Sequence, residues 1–359
     1  MGEAGLILQS EDRGIRWHVV SEQLGEYMNT VSPSPDAGAL VATGEIGFVL
    51  RSADGGVRWQ RMGVAFPQSF IPANLIDMVN AGPDVMIATG PPGTLVRSAD
   101  QGLSWQVVHD TPYERGETFA RVLTGAPGWP LLAFEVKGQV LLSDDGGLHW
   151  QVMASPEPFR DGEIFRTGTM SARHGTVVLA GKAGRVLLGR DLGRTWQSVA
   201  LERMEHLHAA WADDESGLIL LAGESGAVLR STDGGSSWQK MVTYRSERLN
   251  TIARDTVSGA LLLAGENGVI LRSMDEGFSW QQASGACQDE LRQMLREPAS
   301  QALVLVGRAG CIQRSADGGL HWVRINSHTR RHLRAAGFDP GSGNLLAVGQ
   351  RIVLLRRKD

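Results

Sequence analysis

One eight-residue phrase recurs along the chain and limits its fold more than any other feature. Ser52-Ala53-Asp54-Gly55-Gly56-Val57-Arg58-Trp59 reads Ser-x-Asp-x-Gly-x-x-Trp, and the same pattern begins at Ser10, Ser98, Ser143, Ser231, Ser273 and Ser315. A degenerate copy has Gly189 in the Ser position, then Asp191, Gly193 and Trp196. The aspartates are Asp12, Asp54, Asp100, Asp145, Asp191, Asp233, Asp275 and Asp317. The tryptophans are Trp17, Trp59, Trp105, Trp150, Trp196, Trp238, Trp280 and Trp322, a repeat of 42 to 46 residues. Self-similarity at such a period is the mark of an array of identical supersecondary units.

Each part of the phrase has a physical task. Asp accepts hydrogen bonds from the N–H groups of a tight turn. Gly takes a backbone conformation that a Cβ resists, Ser cross-links the turn through its hydroxyl, and Trp opens the next strand with a large apolar surface. The flanks complete the unit. An apolar run such as Val228-Leu229-Arg230 precedes the turn, and Gly-x-x-Gly precedes that, as at Gly223 and Gly226. Earlier come a strand at 218–222 and, one unit later, a first strand typified by 249–253. Short strands separated by turn signals predict four-stranded antiparallel sheets, with strands A to D in chain order. Such a sheet buries both faces only between neighbours, so the units are expected to stand radially as the blades of a β-propeller. This all-β fold accounts for residues 1–359 as one domain.

The ends fit this scheme. The chain opens inside a unit, with 5–8 as strand C and 17–20 as strand D, and closes on a unit without the phrase: 333–338 as A, 345–348 as B and 352–355 as C. The termini are therefore expected to share a composite blade. Eight blades is the favoured count. Because both termini offer a strand C, seven blades with an extra flap is the alternative.

The phrase Gly-x-x-Gly-x-Val-Leu-Arg-Ser-x-Asp-Gly-Gly-x-x-Trp at 223–238 resembles the photosystem II assembly and stability factor-like propellers of the Asp-box (BNR) repeat superfamily. The likeness covers nearly the whole chain. It implies a non-catalytic, extracytoplasmic factor that helps assemble or stabilise a membrane protein complex or exporter, with a membrane protein or its exposed domain as partner. Photosynthetic members of that family resemble seven-bladed rings with a leader, and this chain departs on both counts. The sequence as numbered shows no leader, so either the protein is cytoplasmic or the numbering omits one.

Composition narrows the classes further. The net charge of −4 argues against nucleic acid as a partner, because phosphate binding needs a basic face. No apolar stretch is long enough to span a bilayer, and a monomer is expected. Two cysteines, Cys287 and Cys311, exclude a disulfide framework or Cys-rich zinc site. They fall before strand A and at the start of strand C of one blade, with a strand between them. That puts the Cα atoms about 9–10 Å apart in a flat sheet, so free thiols are expected unless the loop at Cys287 bends inward. No cofactor or metal is implied: His206 and His208 share a strand face but lack further ligands.

Two surfaces are candidates for function. Aligned starts of strand A place Asn29, Arg166, His208, Asn250, Arg292 and Arg334 at equivalent positions on the innermost strand, where they would ring a central channel. The plain alternative is a water-filled channel lined by soluble residues. Enlarged D-to-A loops carry Phe66 and Phe70, Tyr113 and Arg115, and Phe159 and Arg160, a residue mix suited to a docking surface on the top face. The alternative there is simple loop drift. The arginines before the phrase (Arg51, Arg97, Arg230, Arg272 and Arg314) are expected to pack along the next blade and cap a carboxylate. A sialidase-like or other glycan-acting propeller is the competing class: Tyr27, Tyr113 and Tyr244 lie in top-face segments, and Arg248 or Arg292 could clamp a carboxylate. No Arg-Ile-Pro signature accompanies them, and no other catalytic motif is present.

Overall fold

The computed structural model describes residues 6–21, 26–35, 38–65, 74–90, 93–110, 119–125, 128–153, 164–171, 173–201, 205–297, 299–339 and 343–350. They form eight sheets, each built on four antiparallel strands; the sheet of blade 2 gains Val64–Ala65 as a fifth, parallel strand. Blade 1 runs Met28–Pro33, Leu40–Gly44, Val49–Ser52 and Gln60–Met62 as strands A to D. Blade 5 runs Leu207–Ala212, Ile219–Gly223, Val228–Ser231 and Gln239–Met241. Strand A of each blade adjoins strand A of the next, and the first adjoins the last, so the ring closes at eight.

Closure uses both ends of the chain. Blade 8 takes strands A and B from His332–Phe338 and Leu345–Gln350, and strands C and D from Leu6–Ser10 and His18–Ser21. Leu6–Ser10 pairs with Leu345–Gln350 along its whole length, so the N-terminal segment supplies strand C. The competing segment 352–355 lies outside the described residues.

The core is eight hydrophobic clusters, one at each junction between blades. Strand B shows how two-residue periodicity makes them. In blade 5, Leu220 and Ala222 face blade 6, while Ile219 and Leu221 face blade 4. Successive side chains point to opposite faces of a strand, and here both faces are interior. Strand B is therefore an unbroken apolar run with no polar alternation.

The repeated turn joins C to D and also clasps the neighbouring blade. In blade 5, Ser231 Oγ donates to Asp233 Oδ1 and accepts from Gly235 N, each at 2.8 Å. Asp233 Oδ1 accepts from Ser237 N at 2.9 Å, and the Trp238 indole N–H donates to Gly235 O at 3.0 Å. The second turn glycine leans on the preceding blade, where a Cβ on Gly319 would lie 2.3 Å from Leu262. In return the preceding blade's arginine reaches back. The Nε of Arg51, Arg97, Arg230 and Arg272 donates to the turn carbonyls of Gln101, Gly146, Glu276 and Gly318 at 2.7–3.0 Å. These acceptors are backbone carbonyls, not the carboxylates expected from the sequence. The turn Asp is already saturated by its own turn, which leaves the outward carbonyl as the available acceptor.

The expectation of free thiols is overturned. Cys287 and Cys311 form a disulfide with Cα atoms 6.2 Å apart, and both are buried. The cause lies in the D-to-A loops. After blade 5 the loop folds in over the B-to-C turn, so that the Arg245 carbonyl abuts Gly226 and Thr243 Oγ1 donates to Gly226 O at 2.8 Å. After blade 7 the Thr329 carbonyl abuts Gly310, and Ser327 Oγ donates to Gly310 O at 2.6 Å. After blade 6 the Cys287 carbonyl takes the same place against Gly268, but Gly285 stands where the hydroxyl would be. Cys287 therefore sits above the sheet edge rather than in the sheet. Its bridge to Cys311 ties the loop where the hydroxyl latch is missing.

Candidate functional site

A β-bulge in strand A generates the channel wall. Pairing with strand B skips one residue between Met28 and Thr30, Phe119 and Arg121, Phe165 and Thr167, Leu207 and Ala209, Leu249 and Thr251, Leu291 and Gln293, and Leu333 and Ala335. The skipped residues include Asn29, Arg166, His208, Asn250, Arg292 and Arg334. The extra residue of a bulge leaves the ladder and is re-aimed. Opposite the bulge stands the first glycine of Gly-x-x-Gly, as in the Leu207–Gly223 pair. A Cβ on Gly223 would lie 2.0 Å from the His206 carbonyl oxygen, so the bulge there requires glycine; in blade 3 Glu135 stands opposite the bulge instead.

The six re-aimed side chains line a cavity of about 390 Å³ on the ring axis, together with Arg121 and Asp77. Two are spent on architecture: Asn29 Nδ2 donates to Leu75 O and Asn250 Nδ2 to Leu291 O, both at 2.9 Å, tying each blade to the next. Arg334 donates to Asn29 Oδ1 across the closing junction, and burial, reinforced by Arg292, lowers its pKa from the ordinary arginine value. His208 Nε2 lies 3.2 Å from Glu224 Oε1. Burial, with the nearby Arg166 and Arg248, lowers the His208 pKa from the ordinary imidazole value despite the opposing pull of Glu224. Arg292 meets Glu290 at 3.4 Å, and Glu290 also holds Arg248 and Arg308, each at 3.1 Å.

That leaves a surplus of positive charge. Among the described residues the lining carries four arginines, Arg121, Arg166, Arg292 and Arg334, and one carboxylate, Asp77, while Glu290 meets Arg292 and Glu45 acts on Arg334 from outside the lining. Burial pushes the Asp77 carboxyl upward against the opposing pull of Arg121, and the carboxyl accepts a hydrogen bond from Val122 N at 2.9 Å. Arg166 is exposed to the cavity and makes no ion pair among the described residues. Asp77 and Arg121 were not among the sequence candidates. Neither blade 2 nor blade 3 contributed a residue to that set of equivalent positions, and in blade 3 the charge stands one residue beyond the bulge.

The remaining candidates are placed as follows. Phe66, Phe70, Tyr113, Arg115, Phe159 and Arg160 lie outside the described residues. Tyr244 stands 91% exposed on the loop after blade 5, at φ +54°. Arg248 and Arg292, the possible carboxylate clamps, both engage Glu290. His206 turns away from His208 and accepts a hydrogen bond from Ala183 N at 2.9 Å, joining blades 4 and 5. No group of three or more His, Cys, Asp or Glu side chains fit to hold a metal occurs among the described residues, and none of their helices is long and apolar enough to cross a membrane.

No family model and no curated protein matches the chain. Solved structures do. YCF48 bound to a D1 peptide superposes with a TM-score of 0.58 at 18% identity, covering 79% of this chain and 94% of that one. YCF48 from Cyanidioschyzon merolae gives 0.57 at 16% identity, covering 77% and 95%. The C-terminal WD40 domain of Sif2 gives 0.68 at 10% identity, covering 91% and 96%. At these identities the likeness is one of fold, and it is a β-propeller in every case.

Proposed function

We propose that this protein is a non-catalytic scaffold that holds an acidic segment of a protein partner at the mouth of its central channel. The observation that carries the reading is Arg166, which lines the cavity and makes no ion pair among the described residues. A guanidinium presents a planar fork of donors matched to a carboxylate, and the low dielectric of a recessed site strengthens the pairing. YCF48, a propeller of similar fold, has been solved with a bound D1 peptide, which supports the reading. The Asp-box resemblance supports the finer role, assembly or stabilisation of a membrane protein complex or exporter. The disulfide supports a site of action outside the cytoplasm, because such bonds persist in oxidising compartments.

Affinity capture from native membrane extracts tests this. Wild-type protein is expected to retain a partner that Arg166→Glu loses at an unchanged melting temperature. Equal recovery of every captured protein by both would refute the channel as the binding site.

A further inference from the structure

The bulges that build the channel wall set an imidazole on the strand beside Arg166. Arg166 is the skipped residue of blade 4 and His208 that of blade 5, and the two A strands pack side by side. Both side chains line the cavity. The His208 side chain is 11% exposed, and its Nε2 lies 3.2 Å from Glu224 Oε1, on the B-to-C turn of its own blade. Beside a carboxylate Nε2 acts as a donor, so the neutral ring carries its proton there and takes a second at Nδ1. Glu224 can accept from Nε2 in either state, which holds the ring in the wall whether or not it is charged.

Charges reach His208 from each element packed around it. Arg166 acts from blade 4 and Arg248 from blade 6, and both oppose its protonation, as burial does. The blade 4 turn Lys182–Gly184 packs on the same strand and adds Lys182. Among the described carboxylates Glu224 touches the ring, while Glu266 and Glu290 hold Arg248 at 2.7 and 3.1 Å and Glu205 holds Lys240. Burial and these cations favour the neutral ring. A carboxylate seated on Arg166 reverses the balance, because it neutralises one of the cations and sets an anion near the imidazole in a recessed wall of low dielectric.

We infer, on the reading of the channel as the binding site, that His208 is a second recognition residue for the acidic segment and takes up a proton at Nδ1 as the segment binds. Partner affinity then depends on pH. Binding raises the imidazole pKa, so the added affinity is absent at high pH, grows as pH falls through the bound-state value and levels off below the free-state value. The free-state value lies below the ordinary 6.5, which places the gain on the acid side of neutrality.

The probe is an N-acetylated peptide with two Asp residues and a free C-terminal carboxylate, whose charges stay constant from pH 5.5 to pH 8. Calorimetric titration of the full chain is expected to show binding about tenfold tighter at pH 5.5 than at pH 7.5, the effect of one added ion pair in a recessed site. Heats measured at pH 6.5 in buffers of different ionisation enthalpy are expected to show net proton uptake. The imidazole NMR signals of His208 are expected to titrate at higher pH with peptide bound than without. His208→Gln, which can still donate to Glu224, is expected to lose the pH dependence; the wild-type NMR titration carries the test if that variant folds poorly. Affinity constant across the range, an unmoved His208 titration, or a pH dependence that survives in His208→Gln would each overturn the role of His208 and leave the channel site standing. A peptide that binds at no pH in the range would overturn both.

Discussion

At the residue scale, the repeated Asp acts by collecting donors. Asp233, Asp275 and Asp317 each accept from a backbone N–H, from Ser at the start of the turn, and from the side chain before Trp. These bonds outweigh the desolvation that acts against them and hold each carboxyl at about 2. A depressed carboxyl stabilises the fold fully above its unfolded value of about 3.9, and the contribution is lost as pH falls through the folded value. Melting temperature is therefore expected to drop steeply between pH 4 and pH 2, and less steeply in Asp233→Ala. At pH 7 that variant is expected to cost about 1 kcal/mol, the low end for lost hydrogen bonds, because the turn is exposed. A pH series of thermal melts checks both. These roles were legible in the sequence because each belongs to a local turn. The arginine's acceptor was not, because it belongs to the next blade.

At the element scale, the blade is a unit that its neighbours complete. Short apolar runs separated by turn signals, Gly-x-x-Gly among them, were enough to place all four strands. The bulge in strand A was hidden, because it shows only as a register skip against strand B, yet it decides which residues enter the channel. Arg121 and Asp77 escaped because neither stands at a bulge: Arg121 is the residue after it in blade 3, and blade 2 pairs Asp77–Asn80 with strand B without a skip. The disulfide escaped because a flat-sheet distance was applied to a loop that climbs over the B-to-C turn. Tying Cys287 to Cys311 across 24 residues is expected to contribute about 3 kcal/mol on a chain-entropy account. Alkylation of denatured, unreduced protein followed by intact-mass measurement is expected to show no modified thiol. Two adducts would restore the free-thiol reading.

At the scale of the whole molecule, the ring depends on its two ends meeting. Deleting residues 1–21 removes strands C and D of blade 8 and leaves Leu345–Gln350 with an uncovered edge. Light scattering is expected to show aggregation and calorimetry a lower melting temperature; a truncated protein that stays monomeric and equally stable would contradict composite closure. The ring in turn focuses its inward residues on one axis, which no single repeat could do. Net charge over the chain is slightly negative, so the local excess of arginine in the channel is invisible to composition and arises only from closure. The most direct measurement is a calorimetric titration of the wild type and Arg166→Glu with one peptide, bearing two Asp residues and a free C-terminal carboxylate, at low and at physiological salt. The account expects wild-type binding that weakens with salt and a loss of at least about tenfold in the variant. Equal affinity in both proteins, or affinity indifferent to salt, would contradict it.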